Sequence, residues 1–184
     1  MRKCIWANLL FSALLLSVTL CRAQAVFAAP ADALNMTRLL FVDDVAGLSQ
    51  YTPKQGARFA IGDICTIYVE TAGFTLQPAR PDSEDEFDLD LALDIAITMP
   101  QHGRTIASEQ DFNTVKSTVR SKLPATFMAF SFAFEGDWDP GDYVIELTLR
   151  DNLSGQSVTR EMAYQLEEPT EADRARQAEE NTAR

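Results

Sequence analysis

Histidine is scarce in this chain of 184 residues, and its scarcity limits the available chemistry. The single histidine, His102, lies in the segment Pro100–Gly103, whose turn-forming residues predict a solvated side chain. A metal site built from several histidines is therefore excluded, and a Ser-His-Asp triad would have to be built on His102. We predict that the chain is not an enzyme, and the remaining enzymatic alternative is a carboxylate-based hydrolase.

Cysteine is also scarce, with Cys4 and Cys21 close to the N-terminus and Cys65 further along. If the N-terminal segment is removed, Cys65 has no partner and an intramolecular disulfide cannot form. Cys65 lies in the apolar segment Ile64–Tyr68, a pattern typical of a small buried side chain. The fold must then be stabilised by its hydrophobic core.

Acidic residues are absent from the first 25 residues, which we predict to be a secretory signal peptide. Arg2 and Lys3 supply positive charge, Ile5–Leu20 is mostly apolar, and Ala23–Ala25 has the A-x-A form of a cleavage site. The alternative is an uncleaved anchor, but the apolar run is shorter than the roughly 20 residues that span a bilayer. Because Leu20 precedes Cys21, lipidation there is disfavoured. We expect a periplasmic or secreted protein.

Basic residues are outnumbered by acidic ones, and the formal net charge is −11. Cleavage after Ala25 would remove Arg2, Lys3 and Arg22 and no acidic residue, which makes the net charge −14. Such a charge repels phosphate backbones and anionic lipid surfaces. We therefore predict no nucleic-acid partner and no membrane span after cleavage.

Alternation of apolar and polar residues dominates the middle of the chain. From Phe87 to Met99 every second residue is large and apolar, a period of two that predicts a strand with one buried face. Shorter segments have the same character. They are Ile64–Val69, Phe127–Phe134, Tyr143–Leu149 and Val158–Leu166.

The remaining segments are less regular. Leu39–Val42 predicts a first short strand, and residues 43–58 read as a long connection. Residues 108–124 fit two structures: a helix capped by Ser108 and stopped by Pro124, or an edge strand with outward Lys and Arg. Their Val and Thr content favours the edge strand. We assign residues 26–38 to a leader, 39–166 to the domain, and 167–184 to a charged tail that is helical or disordered.

One motif has a structural meaning. Asp139, Gly141 and Tyr143 have the D-x-G-x-Y spacing that precedes strand F in immunoglobulin-like domains, which this chain resembles. The resemblance implies a structural corner in which the Tyr143 hydroxyl bonds back to the upstream chain. Two features depart from antibody domains: Ile145 replaces the second disulfide cysteine, and Phe87–Met99 has no tryptophan.

Together these patterns predict an all-β fold, an antiparallel Ig-like β-sandwich of about seven to nine strands. An N-terminal signal helix and a polar C-terminal tail flank it. The region 58–166 is also similar to bacterial exported domains, of the immunoglobulin-like or fibronectin-like kind, that have no assigned activity. That similarity rests on four segments: Arg58–Asp63, Ile67–Glu70, Pro140–Tyr143 and Asp151–Gln156.

Acidic loops are the candidate metal sites, because Ca²⁺ takes six to eight oxygen ligands and sandwich loops can converge to supply them. Two sets qualify, namely Asp82, Glu84, Asp85 and Glu86 in one loop, and Asp137, Asp139 and Asp142 in another. We expect the aspartates at positions 88, 90 and 94 to form a solvated sheet face. Trp138 could anchor a partner or cap the end of the core.

The function predicted from these features is a non-catalytic exported binding or assembly module with an unknown protein partner. The alternatives are a calcium-dependent adhesion or matrix module and the carboxylate-based hydrolase. No cofactor is predicted, and calcium is the candidate ion.

Overall fold

The computed structural model describes residues 33–82, 84–134 and 137–182. The predicted signal peptide and most of the predicted leader lie outside this range. Within it the chain forms ten strands, one short 3₁₀ turn and one helix. The strands are β1 (Asn35–Gly47), β2 (Gln50–Pro53), β3 (Arg58–Ala60), β4 (Ile64–Ala72), β5 (Gln77–Pro78), β6 (Phe87–Met99), β7 (Arg104–Val119), β8 (Ala125–Ala133), β9 (Gly141–Asp151) and β10 (Ser157–Glu167). The 3₁₀ turn is Pro100–His102, and the helix α1 is Glu171–Thr182.

The strands form two sheets. The smaller sheet has the order β2-β1-β4-β8, and the larger has the order β3-β10-β9-β6-β7, with the short β5 also paired to β6. All pairs are antiparallel except β3 with β10, which is parallel. The triplets β1-β4-β8 and β6-β9-β10 match the A-B-E and C-F-G strand orders of the immunoglobulin sandwich. The predicted all-β sandwich is confirmed, with slightly more strands than expected.

The core fills the space between the sheets. Strand β6 has the predicted bounds, and its apolar face from Leu89 to Met99 is buried. Tyr143, Ile145 and Leu147 of β9 are buried beside it. The inner face of β4 supplies Cys65, Ile67 and Val69 from the opposite sheet. Alternation thus identified the buried faces of these strands because each sheet has one inner face.

Residues 104–119 form strand β7, so the edge-strand prediction is confirmed and the helix alternative is wrong. Pairing with β6 runs from Met99↔Arg104 to Phe87↔Val119 and satisfies backbone groups that a helix would have paired internally. The ladder shifts register opposite Asp94, where Asp111 adopts a φ of 53°. Asp tolerates this left-handed conformation better than most residues do. The strand therefore contains a β-bulge.

Two predictions near the N-terminus are wrong. Strand β1 begins at Asn35, inside the expected leader, and it ends at Gly47, inside the expected connection 43–58, which also contains β2. Its first half pairs with β4 and its second half forms a hairpin with β2. Backbone pairing, first with β4 and then with β2, sets the length of this strand. The exposed Asp43 and Asp44 interrupt its apolar pattern, so the pattern did not indicate the full length of the strand.

The charged tail forms helix α1, which docks on the turn between β3 and β4. Thr170 and Asp173 cap it reciprocally: the Thr170 amide donates to Asp173 Oδ2 at 2.9 Å, and the Asp173 amide donates to Thr170 Oγ1 at 3.2 Å. Arg176 and Gln177 then donate to Asp63 Oδ1 at 2.9 and 3.1 Å. Polar contacts therefore hold a helix that has no apolar stripe. In the described residues no helix combines the length and apolar character needed to cross a bilayer.

Candidate binding groove

A cavity of about 500 Å³ opens between β7, at the edge of the larger sheet, and β8, at the edge of the smaller. We call it the β7–β8 groove. Ile95 and Ile97 of β6 lie at its base. The register pairs Ile97 with Ala107 and Ile95 with Glu109, so these two residues of β7 share the inner face that lines the groove.

Aromatic rings bound the groove at both ends. Phe112 of β7 lines one end and meets Phe130 of β8 edge-to-face, with ring centroids 5.1 Å apart. Trp138 and Phe132 line the other end. All four rings are half-buried, so part of each faces solvent. The groove thus offers apolar ring surface in a concave site.

Trp138 both caps the core and lines the groove. Its ring packs edge-on against Phe134 at 5.5 Å and stacks on Tyr143 at 5.7 Å between centroids. Tyr143 stacks in turn on Tyr164 at 5.2 Å. The two predicted roles of Trp138, partner anchor and end cap, are therefore compatible in one position.

The segment with the D-x-G-x-Y spacing positions Trp138. The Tyr143 hydroxyl donates a 2.6 Å hydrogen bond to the backbone oxygen of Asp139, and burial raises the pKa of this tyrosine. A Cβ at Gly141 would lie 2.5 Å from Gln101 Nε2 and 2.8 Å from Met99 Cε, so a larger residue there would displace the ends of both side chains. The loop that carries Trp138 is thereby tied to the start of β9.

Charged side chains form the rim of the groove. Glu109, Asp137 and Asp139 are acidic, Arg104 is basic, and all four are exposed. The rim therefore carries a net negative charge. Of the predicted site residues, Asp137, Trp138 and Asp139 come together here, whereas Asp142, between Gly141 and Tyr143, is not part of the lining.

The two predicted calcium sets are not assembled. Among the described residues no group of three or more His, Cys, Asp or Glu side chains could hold a metal ion. Asp82, Glu84 and Asp85 are exposed in the loop between β5 and β6, and Glu86 pairs with Arg80 at 2.5 Å.

The aspartates on the outer face of β6 have cross-strand partners. Asp88 accepts from Thr118 at 2.7 Å, Asp90 from Asn152 at 2.8 Å, and Asp94 from Arg150. The Asn152 hydrogen bond lowers the pKa of Asp90, and the Arg150 hydrogen bond lowers that of Asp94. A general acid needs a raised pKa, so Asp90 and Asp94 are suited to structural roles.

Cys65 and His102 have the environments predicted for them. The Cys65 thiol is fully buried, and desolvation raises its pKa to about 12. A thiol in this state is a poor nucleophile at neutral pH. His102 is exposed in the 3₁₀ turn.

Sequence reasoning missed the residues that β7 contributes to the groove: Arg104, Ile106, Ala107, Ser108, Glu109 and Phe112. The bulge at Asp111 shifts the period of two between Glu109 and Phe112, so no single alternation marks one face. The break in alternation beside Asp111 was the feature of the sequence that could have indicated this bulge.

No protein-family model and no curated protein matches this chain. Among solved structures it is similar to the C-terminal domain of Wzt, at 10% identity over 75% of each chain with a TM-score of 0.45. A family 123 glycoside hydrolase from Clostridium perfringens aligns at 9% identity and a TM-score of 0.41, over 61% of this chain and 23% of that one. The chain also aligns with the alkylpurine DNA glycosylase AlkC from Pseudomonas fluorescens, whose structure was solved bound to DNA with an abasic site analog. The identity is 12% and the TM-score 0.40, over 73% of this chain and 30% of that one. At these identities no function is transferred.

Proposed function

We propose that this chain is a non-catalytic, exported binding module that holds a partner in the β7–β8 groove. The observation that carries the proposal is the groove itself, a concave site of about 500 Å³ with half-buried aromatic rings at both ends. Partly exposed rings in a concavity are typical of binding sites because they contribute large contact areas at low entropic cost.

The position of Trp138 supports the same proposal. Its ring is fixed on Phe134 and Tyr143, so little rotamer freedom remains to be lost when a partner covers its open part. Tryptophan is among the residues enriched at binding hot spots, which lie in well-packed surroundings of this kind.

The environments of the titratable groups support a non-catalytic role. Cys65 is buried with a raised pKa, and hydrogen bonds lower the pKa values of Asp90 and Asp94. None of these three groups has the intermediate pKa that proton transfer at neutral pH uses.

Capture of partners from the native envelope tests the proposal. We expect Ala107→Arg to abolish capture, because Ala107 is exposed on the groove face and an arginine there would fill the cavity. Thr114→Arg is the matched control, since Thr114 is exposed on the same strand but pairs with Ala92 outside the groove. If both variants fold like the parent and capture partners equally well, the groove is not the binding site.

The two alternative functions have separate tests. For the adhesion module, the melting temperature is measured in the presence of calcium and in the presence of a chelator. Calcium at about 100 times its Kd would add about 2.7 kcal/mol to the free energy of unfolding. We expect no shift, because the described residues do not assemble a metal site. For the hydrolase, turnover that disappears in Asp137→Asn or Asp139→Asn would replace the binding proposal with an enzymatic one.

A further inference from the structure

In the described part of the chain the strands at sheet edges are β2, β3, β5, β7 and β8, and the first four carry features that discourage pairing with another chain. Strand β2 has four residues and ends in Pro53, β3 has three residues, and β5 has two residues and ends in Pro78. Strand β7 is long, but it carries the bulge at Asp111 and the exposed charges of Glu109 and Lys116. Short length, proline, bulges and charge are the usual protections of sheet edges.

Strand β8 has none of these protections. It runs for nine residues, Ala125–Ala133, without a charged residue or a proline. In the described part of the chain it pairs with β4 on one side and with no strand on the other. Its outer-face side chains at Ala129, Ser131 and Ala133 are small and exposed, so they leave the edge accessible.

The backbone of β8 presents regularly spaced hydrogen-bonding groups on this open side. Phe134, next to the end of β8, directs its N–H to the Asp63 carbonyl and its C=O to the Gly62 amide, both on the β4 side. Directions alternate along an antiparallel strand, so Ala133, Ser131 and Ala129 point their N–H and C=O groups away from β4.

The open position corresponds to a known strand of the fold. The immunoglobulin constant-type sheet has four strands in the order A-B-E-D. Strands β1, β4 and β8 occupy the A, B and E positions, and among described residues no strand follows β8. A strand added there would lie beside the β7–β8 groove, since Phe132 and Ala133 of β8 line it.

We propose that an extended, basic peptide segment of the partner pairs antiparallel with the free edge of β8 and places alternate apolar side chains in the β7–β8 groove. This inference rests on the proposed function and specifies its mode, β-strand addition, in which the backbone gives affinity and the groove gives specificity.

The negative charge of the groove rim and of the whole chain indicates a basic partner segment. Three of the four charged rim residues are acidic, and two of them, Asp137 and Asp139, flank Trp138 in the chain. The chain as a whole has a net charge of −11, so a second copy would be repelled while a basic segment would be attracted. Lysine or arginine near Asp137 and Asp139 would complete the match.

Amide hydrogen exchange, followed residue by residue on the chain from residue 26 onward, tests this mode. The probe is a blocked peptide of roughly ten residues, enough to cover β8, that alternates valine with threonine and has a lysine at each end. We expect exchange at Ala129, Ser131 and Ala133 to slow by at least about tenfold, with little change at Phe130 and Phe132, whose amides already face β4. A matched peptide with glutamate in place of lysine should bind much more weakly.

The Ala129→Pro variant removes one outward N–H and no bond to β4, so it should fold and bind the probe at least about tenfold more weakly. Ala129→Val keeps that N–H and should bind like the parent. Absence of the alternating protection would overturn the proposal, as would protection on another edge, self-association through β8, or competition by an oligosaccharide. If Ala107→Arg still abolishes capture of the native partner in that case, the groove function stands and only the peptide mode falls.

Discussion

Arg150 of β9 donates two hydrogen bonds to Asp94 of β6, from Nε to Oδ2 at 3.0 Å and from Nη2 to Oδ1 at 2.8 Å. The same Nη2 donates to Asp111 Oδ1 at 2.5 Å, and the Asp111 amide donates to Asp94 Oδ1 at 2.8 Å. The pair therefore fixes the bulge of β7 to the centre of the larger sheet. The bulge directly precedes Phe112, so this pair also positions one end of the groove.

Removing Arg150 should loosen this part of β7. We expect Arg150→Ala to lower the free energy of unfolding by about 1–2 kcal/mol, because two carboxylates lose charge-assisted hydrogen bonds. Urea denaturation measures the change, and amide exchange at Asp111 should accelerate. Lys116→Ala is the control: Lys116 pairs with Asp90, but its side chain is 81% exposed and solvent screens the pair, so we expect no measurable change in the free energy of unfolding. Equal effects of the two substitutions would contradict the assigned role of Arg150.

The stacked tyrosines at the end of the core give a matched comparison. Tyr143→Phe removes the hydrogen bond to Asp139 and should cost about 1–1.5 kcal/mol of unfolding free energy. The Tyr164 hydroxyl is buried without a hydrogen-bond partner among the described residues, so Tyr164→Phe should be neutral or stabilising. Thermal melts of the two variants measure the difference. A larger loss in Tyr164→Phe than in Tyr143→Phe would contradict both assignments.

Asp151 makes the stability depend on pH. Burial alone would raise the pKa of this carboxylate, but hydrogen bonds from Ser154, Thr75 and Leu153 outweigh burial and hold it below its usual range. Its folded pKa is therefore lower than its unfolded pKa of about 3.9, and its contribution is complete above that value. The contribution is lost as the pH falls through the folded pKa.

We expect Asp151→Asn to lower the unfolding free energy at pH 7 by about 2–3 kcal/mol, because an amide cannot accept all of these hydrogen bonds. The difference from the parent should shrink as the pH falls below about 4. Urea denaturation from neutral pH to about pH 3 measures it. Asp82→Asn, at an exposed position, should leave the curve unchanged. A difference that stays constant with pH would contradict the role of ionised Asp151.

Cys65 should resist thiol reagents in the folded protein. The thiol is fully buried and burial raises its pKa to about 12, so both access and thiolate fraction are low at pH 8. With a chain that begins after Ala25, which contains only this cysteine, maleimide labelling should proceed at the rate of unfolding. Addition of urea should expose one thiol per chain. Rapid labelling without denaturant would show that the core near Cys65 opens.

The sequence predicted the sandwich because period-two alternation reports directly on which side of a strand is buried. Phe87–Met99 matched in full, since β6 is a central strand with one inner face. The same argument missed the length of β1, because the exposed pairs Thr37-Arg38 and Asp43-Asp44 interrupt its alternation. Pairing with β4 and β2, which apolar alternation does not report, sets the bounds of this strand.

The candidate groove could be predicted only in part. Trp138 and the acidic residues beside it stand out in the sequence because they flank a recognisable turn motif. The residues that face them from β7 do not, because the bulge at Asp111 interrupts the alternation. The open edge of β8 depends on which strand is missing beside it, a property of the assembled sheet and not of the segment Ala125–Ala133.

Site-specific photocrosslinking in the native envelope tests the central proposal, a partner held in the β7–β8 groove, most directly. A photoreactive side chain at Ala107 faces the groove, and the same side chain at Thr114 lies on β7 outside it. We predict a discrete crosslinked species from position 107 that is absent from position 114 and disappears when the probe peptide is added in excess. Equal crosslinking from both positions, or none from 107 at native expression, would contradict the account.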